Sequence, residues 1–209
     1  GIDIQTTKTI VKEVDAVVIV AGYTNKNEGE YIKILGKTIG GDRDNLGLRN
    51  QDIQLINSIS EVNDNVVVVL VGGSAIMMEE WKNNVKGIIM AWYAGMEGGR
   101  ALADILVGNV NPSGKLPFTI PKDPKDLPYF DKNADEIEYG YYHGYTLFEK
   151  DNIEPAFPFG FGLSYTSYKY DNFQVNSDDN EIISSVDVTN TGSLKGDEIV
   201  QLYIGFEDP

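Results

Sequence analysis

The 209-residue sequence contains no cysteine and one histidine, His143. The first absence excludes disulfides and every thiolate-held zinc or iron–sulfur site. The second excludes histidine-rich metal clusters and leaves a Ser-His-Asp triad a single candidate base; a lone histidine beside tyrosines reads as a surface or packing residue. Basic residues are scarce, with 17 Lys+Arg against 32 Asp+Glu and a formal net charge of -15. Nucleic acid and anionic membranes are held by basic footprints, so neither is expected as a partner. No apolar run approaches the roughly 20 residues that cross a bilayer as a helix.

What is present is an ordinary globular composition, 42% hydrophobic and 23% charged. Three short runs, 16–21 (AVVIVA), 65–71 (NVVVVLV) and 87–92 (GIIMAW), are continuously apolar and rich in β-branched residues. That pattern predicts strands buried on both faces, as in a parallel sheet. Amphipathic stretches alternate with them. Residues 5–14 carry Ile10, Val11 and Val14 on one side, residues 51–62 carry Ile53, Leu55, Ile56 and Ile59, and a helix is expected over 75–84 with Trp81. The stretch 91–121 continues the alternation: a glycine-rich turn (Gly95, Gly98, Gly99), a helix with Ala101, Leu102, Ile105 and Leu106, a stop at Gly108, a turn at 111–114 and an apolar run closed by Pro121. Glycines before a helix either cradle an anion or let the helix pack closely. This spacing is not G-x-G-x-x-G and no G-K-[ST] follows, which favours packing. The fold predicted is α/β, an open doubly wound, mostly parallel sheet forming an α/β sandwich.

Between the first strand and second helix lies an aperiodic stretch, 22–48. Loops of that length inside a compact domain are usually functional, and this one leaves the carboxyl end of a strand, the binding edge of doubly wound sheets. It carries Asn27-Glu28-Gly29-Glu30-Tyr31 and later Gly40-Gly41-Asp42-Arg43-Asp44-Asn45-Leu46. Ser74, after two glycines and a strand, lacks the G-x-S-x-G context of a nucleophile elbow.

Residues 121–135 are polar and proline-rich and read as an exposed connection. An aromatic stretch with Pro155, Pro158, Gly160 and Gly162 follows, too broken for a regular element and suited to plugging a loop onto the sheet. After Tyr165 the period changes to two: 168–175, 181–189 and 198–204 alternate apolar and polar, with turn residues between them. These predict the beginning of an antiparallel β-sandwich, incomplete at about three strands. Two domains are therefore expected, 1–165 and 166–209.

Three stretches, AWYAGMEGGRALADILVGNVNPSGKLPFTIP (91–121), GYTLFEKDNIEPAFPFGFGLSYTSYKY (144–170) and VDVTNTGSLKGDEIVQLYI (186–204), resemble the C-terminal half of family 3 glycoside hydrolases, the β-glucosidase and β-xylosidase group. The resemblance implies an α/β-sandwich domain followed by the start of a fibronectin-type-III-like domain. In the family a TIM barrel precedes them and supplies the nucleophilic aspartate and most contacts to the first sugar; nothing in this chain matches that motif. The α/β sandwich of many members supplies the general acid/base, a glutamate on the loop after its first strand. Carried onto this sequence, the catalytic candidates are Glu28 and Glu30, Tyr31 is expected on the leaving-group side of the substrate, and Asp42 and Arg43 are expected to pair and support the loop.

The chemistry suits two acids. Retaining hydrolysis needs two carboxyl groups about 5 Å apart, one a nucleophile and one a proton donor. A donor must keep its proton near neutral pH, which burial against a docked barrel and a neighbouring carboxylate both favour. Two residues apart, Glu28 and Glu30 face one side if the loop is extended. The expected partners are a β-linked oligosaccharide or glycoside and a family TIM barrel, on the same or a separate chain; self-association into a homo-oligomer stays open. No metal or other cofactor is implied, and the cytoplasm is favoured over secretion. The competing readings are a non-catalytic carbohydrate-binding or assembly module and, behind it, a nucleotide-binding α/β domain.

Overall fold

The computed structural model describes residues 3–41, 43, 45–131, 134–178 and 180–205, and the side chains of these apart from 25, 30, 31, 33, 38, 39 and 40. In chain order the elements are α1 (Ile4–Val11), β1 (Val17–Gly22), α2 (Asn25–Glu28), β2 (Gly29–Ile34), β3 (Lys37–Gly41), α3 (Asn50–Ser60), β4 (Val66–Val71), β5 (Gly87–Met90), α4 (Gly98–Leu106), α5 (Tyr145–Lys150), β6 (Tyr168–Ser177) and β7 (Ile182–Asn190). The chain divides into two compact units, Gly1–Met96 with Phe118–Phe159, and Glu97–Pro117 with Gly160–Pro209.

The first unit is built on a parallel sheet in the order β1-β4-β5. Val17 pairs with Val66 and Val67 with Gly87, and both ladders run in step from there. The central strand explains its own composition. Val66, Val68, Val69 and Leu70 are fully buried, because β4 has a neighbour at each edge and cover on both faces. The outer strand β1 departs from the two-sided burial its sequence predicts. Ile19 and Ala21 are buried, but Val18 and Val20 are 47% and 63% exposed.

Helix α3 buries Ile56 and Ile59. Asp3 caps α1 by accepting from the Gln5 amide at 3.1 Å. The Asn63 amide then clasps the far end of this segment, donating to the carbonyls of Val11 (2.8 Å) and Val14 (2.9 Å). Gly22 ends β1 with φ 140°, and a Cβ there would collide with the Val71 carbonyl. Only glycine fits that approach.

Two expected elements are replaced. Residues 75–84 form no α-helix, only a short 3₁₀ turn at Lys82–Asn84. Ile76 and Met78 are buried on alternate residues, and the Met77 amide donates to the Leu46 carbonyl (2.8 Å) in an isolated parallel bridge. The apolar spacing that resembles a helix stripe is thus an extended segment leading to buried Trp81. The apolar run before Pro121 makes one antiparallel bridge, Ile120 to Phe157, rather than a strand. Pro117 and Pro121 have no N–H to give a ladder.

In the second unit, Asn111 of the predicted turn is a hub. Its Oδ1 accepts from Ser164 Oγ (3.0 Å) and the Tyr165 amide (2.8 Å), and its Nδ2 donates to the Lys195 carbonyl (3.1 Å). Strands β6 and β7 form an antiparallel hairpin, with an extra residue in β6 between Asp171 and Gln174 where Asn172 takes φ 53°. The expected third strand at 198–204 is not a strand. Side chains tie it down instead: Glu198 accepts from the Tyr170 hydroxyl (2.8 Å) and Gln201 donates to the Gly160 carbonyl (3.1 Å). The parallel sheet and the antiparallel hairpin are the two parts of the predicted fold class.

Candidate active site

The site lies where β1, β4 and β5 reach their carboxyl ends, the edge at which doubly wound sheets bind ligands. Each strand is followed by a residue that points into one cluster. Tyr23 follows β1, and its hydroxyl donates to the Gly47 carbonyl. Gly73-Ser74-Ala75 follow β4. After β5, Trp92 takes a left-handed backbone (φ 55°) and stacks edge-on against Phe118, and Tyr93 comes next. A non-glycine residue in that conformation costs energy and persists where the surroundings hold it.

The aperiodic stretch of the sequence has structure of its own. Thr24 caps α2 in a reciprocal box with Asn27. Strands β2 and β3 form a hairpin closed by Leu35 (φ 50°) and Gly36 (φ 76°), the two left-handed residues that a tight hairpin turn requires. The pairing Gly29–Gly41 gives way to Ile32–Ile39, so Glu30 and Tyr31 together stand opposite Gly40. That is a β-bulge, a device that re-aims side chains and is frequent beside active sites.

Glu28, the last residue of α2, is the centre of the cluster. Its Oε2 accepts from the Gly73 amide (2.8 Å) and from the Tyr93 hydroxyl. Its Oε1 lies 3.0 Å from Arg43 Nε, an ion pair not aligned as a hydrogen bond. The rest of the Arg43 guanidinium donates to the Ala75 carbonyl (3.0 Å) and to Ser74 Oγ, and it lies over the Tyr23 ring, 4.6 Å from the centroid. The two charged side chains are 12% and 10% exposed, so their attraction is screened less than a surface pair's. Burial and the Glu28 carboxylate push the Tyr93 phenol up to about 12.

Of the sequence candidates, Glu28 and Arg43 are brought together. Arg43 is thus paired with Glu28; Asp42, its expected partner, lies outside the described residues. Glu30 and Tyr31 are located by backbone alone, on the bulge, their side chains being outside the described set. Glu28 and Glu30 do not share an extended segment, since the chain passes from helix to strand between them. Tyr23, Gly73, Ser74 and Tyr93 were not foreseen as members of the site. Their signal in the sequence is position: each lies within a few residues of the end of a buried parallel strand. Gly95, before α4, and Gly99, in its first turn, do not bear out the close-packing reading, because a Cβ on either would meet no atom within 4 Å. His143 is exposed, and its backbone brackets the Thr146 hydroxyl. Among the described residues no group of three or more His, Asp or Glu could hold a metal ion.

Residues 2–165 match the model of the glycosyl hydrolase family 3 C-terminal domain. The chain belongs to that family. The chain is 39% identical over 98% of its length to thermostable beta-glucosidase B of Acetivibrio thermocellus, and 38% identical over 92% to a beta-xylosidase of Formosa agariphila. Among solved structures, the family 3 beta-glucosidase of Bifidobacterium adolescentis covers 90% of the chain at 33% identity with a TM-score of 0.78. The chain spans about a quarter of the length of these relatives, 27% and 26% of the two enzymes and 28% of the crystallised chain.

Proposed function

We propose that this family 3 chain is the part of a retaining β-glycosidase, β-glucosidase-like, that supplies the acid/base loop, with the nucleophile on a TIM barrel outside the 209 residues. Residues 1–165 are read as the α/β-sandwich domain and 166–209 as the start of a fibronectin-type-III-like domain. The observation that carries the reading is the NEGEY segment on the carboxyl edge of the parallel sheet, with a bulge at Glu30-Tyr31 and a fixed glutamate beside it. Family membership and the names of the relatives, β-glucosidases and a β-xylosidase, support it.

The chemistry follows from two carboxyl groups on two domains. The barrel's carboxylate attacks the anomeric carbon as the glycosidic C–O bond breaks. A glutamic acid of this chain gives its proton to the departing oxygen. The resulting carboxylate takes a proton from water, whose oxygen displaces the enzyme's carboxylate from the sugar. Tyr31 is read as lining the leaving-group side. Sugar choice is assigned to the barrel, so the substrate class is a terminal β-linked sugar.

The test is to join the chain to a family barrel and assay an aryl β-glucoside with Glu28→Ala and Glu30→Ala. At least one variant should lose about a hundredfold or more of its activity. Full activity in both, with no acceleration by azide, overturns the assignment. The 209-residue chain alone should not turn over the substrate, but a carbohydrate-binding module would bind cello-oligosaccharides in calorimetry without the barrel.

A further inference from the structure

Glu28 and Glu30 are both candidates for the proton donor, and the surroundings of Glu28 set it apart. Glu28 is already committed. Its two oxygens face the Gly73 N–H, the Tyr93 O–H and the Arg43 guanidinium, from the segments after β4, after β5 and before α3. A general acid must present a proton to an oxygen of the substrate, and so needs an oxygen directed outward. Glu28 could serve only by leaving a junction that joins three segments and encloses it to 12% exposure. Its geometry is that of a carboxylate fixing a loop.

Glu30 is two residues on and differently placed. It stands on the β-bulge with Tyr31, both opposite Gly40, immediately after the clamp. Gly29 between them carries the change from helix to strand. The clamp therefore fixes the start of the strand on which Glu30 stands, as a reacting group requires of the structure that holds it.

We infer that the two glutamates divide the work. Glu28 is a positioning residue, locked by Arg43, Gly73 and Tyr93, and Glu30 is the residue that gives its proton to the leaving oxygen and recovers one from water. This rests on the acid/base reading above.

The assembled enzyme separates the roles. Glu30→Gln should lose the alkaline limb of its pH profile. It should fall about a hundred- to ten-thousandfold on glucosides with poor leaving groups. It should keep most of its first-step rate on 2,4-dinitrophenyl glucoside, and in Glu30→Ala, which opens space at the anomeric carbon, azide should accelerate turnover and yield glucosyl azide. Glu28→Ala should fall by a similar factor on good and poor leaving groups alike, keep both pH limbs and ignore azide. Glu28→Gln should regain part of the loss, since its amide oxygen still accepts from Gly73, and Tyr93→Phe should show a weaker form of the same pattern.

Azide rescue in Glu28→Ala but not in Glu30→Ala would reverse the roles and overturn the inference. An assembled wild type that hydrolyses no aryl glucoside would sink the proposed function, and the role of Glu30 with it. The clamp has its own readout in the 209-residue chain. With ¹³C-labelled tyrosine, the Tyr93 resonance should titrate near 12 in the wild type and lower in Glu28→Gln, which removes the carboxylate's share of the rise and leaves the share due to burial. An unchanged titration would show that Glu28 does not contact Tyr93.

Discussion

Strands β4 and β7 are both rich in β-branched residues and both pair over their full length, yet they differ in what covers them. In β4, Val66, Val68, Val69 and Leu70 are fully buried. In β7, Ile182 and Ile183 are each 55% exposed and Val188 39%. On the paired strand β6, Phe173 and Val175 are 60% and 52% exposed. The β6–β7 ladder is longer than any in the parallel sheet, so hydrogen bonding does not distinguish the two regions. Burial does. A backbone hydrogen bond contributes only about 1 kcal/mol net, whereas a fully buried leucine or valine side chain contributes about 1.5–3 kcal/mol.

Three substitutions test that contrast in descending order. Leu70→Ala removes a fully buried side chain from the central strand and should cost about 2–5 kcal/mol in urea denaturation followed by circular dichroism. Gly22→Ala should cost about 1–3 kcal/mol, because its φ of 140° and the Val71 carbonyl both oppose a Cβ. A smaller loss there would mean that the end of β1 can shift. Ile182→Thr on the exposed hairpin should stay within about 0.5 kcal/mol. If it costs as much as Leu70→Ala, the hairpin is covered in solution and the comparison collapses.

The same contrast governs what the sequence makes legible. The three strands of the parallel sheet are readable because continuous apolar runs have few other uses in a soluble fold. Helix α3 is readable from its stripe. The helix expected at 75–84 is misread because Ile76, Met78 and Trp81 are apolar at spacings that a helix face and an irregular buried segment share. The third antiparallel strand is misread because alternation marks a strand only where a neighbour exists to pair with it. At the site, the loop and its glutamates are visible from position and family resemblance. Which partner Arg43 takes is not. Glu28 and Arg43 are fifteen residues apart, and Tyr93 is sixty-five residues from Glu28. Tertiary folding makes those contacts, and no local pattern announces them.

One donor in the Glu28 clamp is a main-chain amide, and this limits how the site can vary over mutational time. The Gly73 N–H cannot be edited by changing a side chain; of the coded residues only proline would delete it. Nor is the position free to accept other residues. A Cβ at Gly73 would meet the Tyr93 ring at 3.1 Å and Glu28 Oε2 at 3.3 Å, tighter than ordinary contact. Arg43, Tyr93 and Ser74 can each be exchanged by a single codon change, with graded effect. Position 73 offers no such gradation: most replacements keep the hydrogen bond and crowd it. Lineages carrying this loop are thus expected to drift around the glycine before they drift at it.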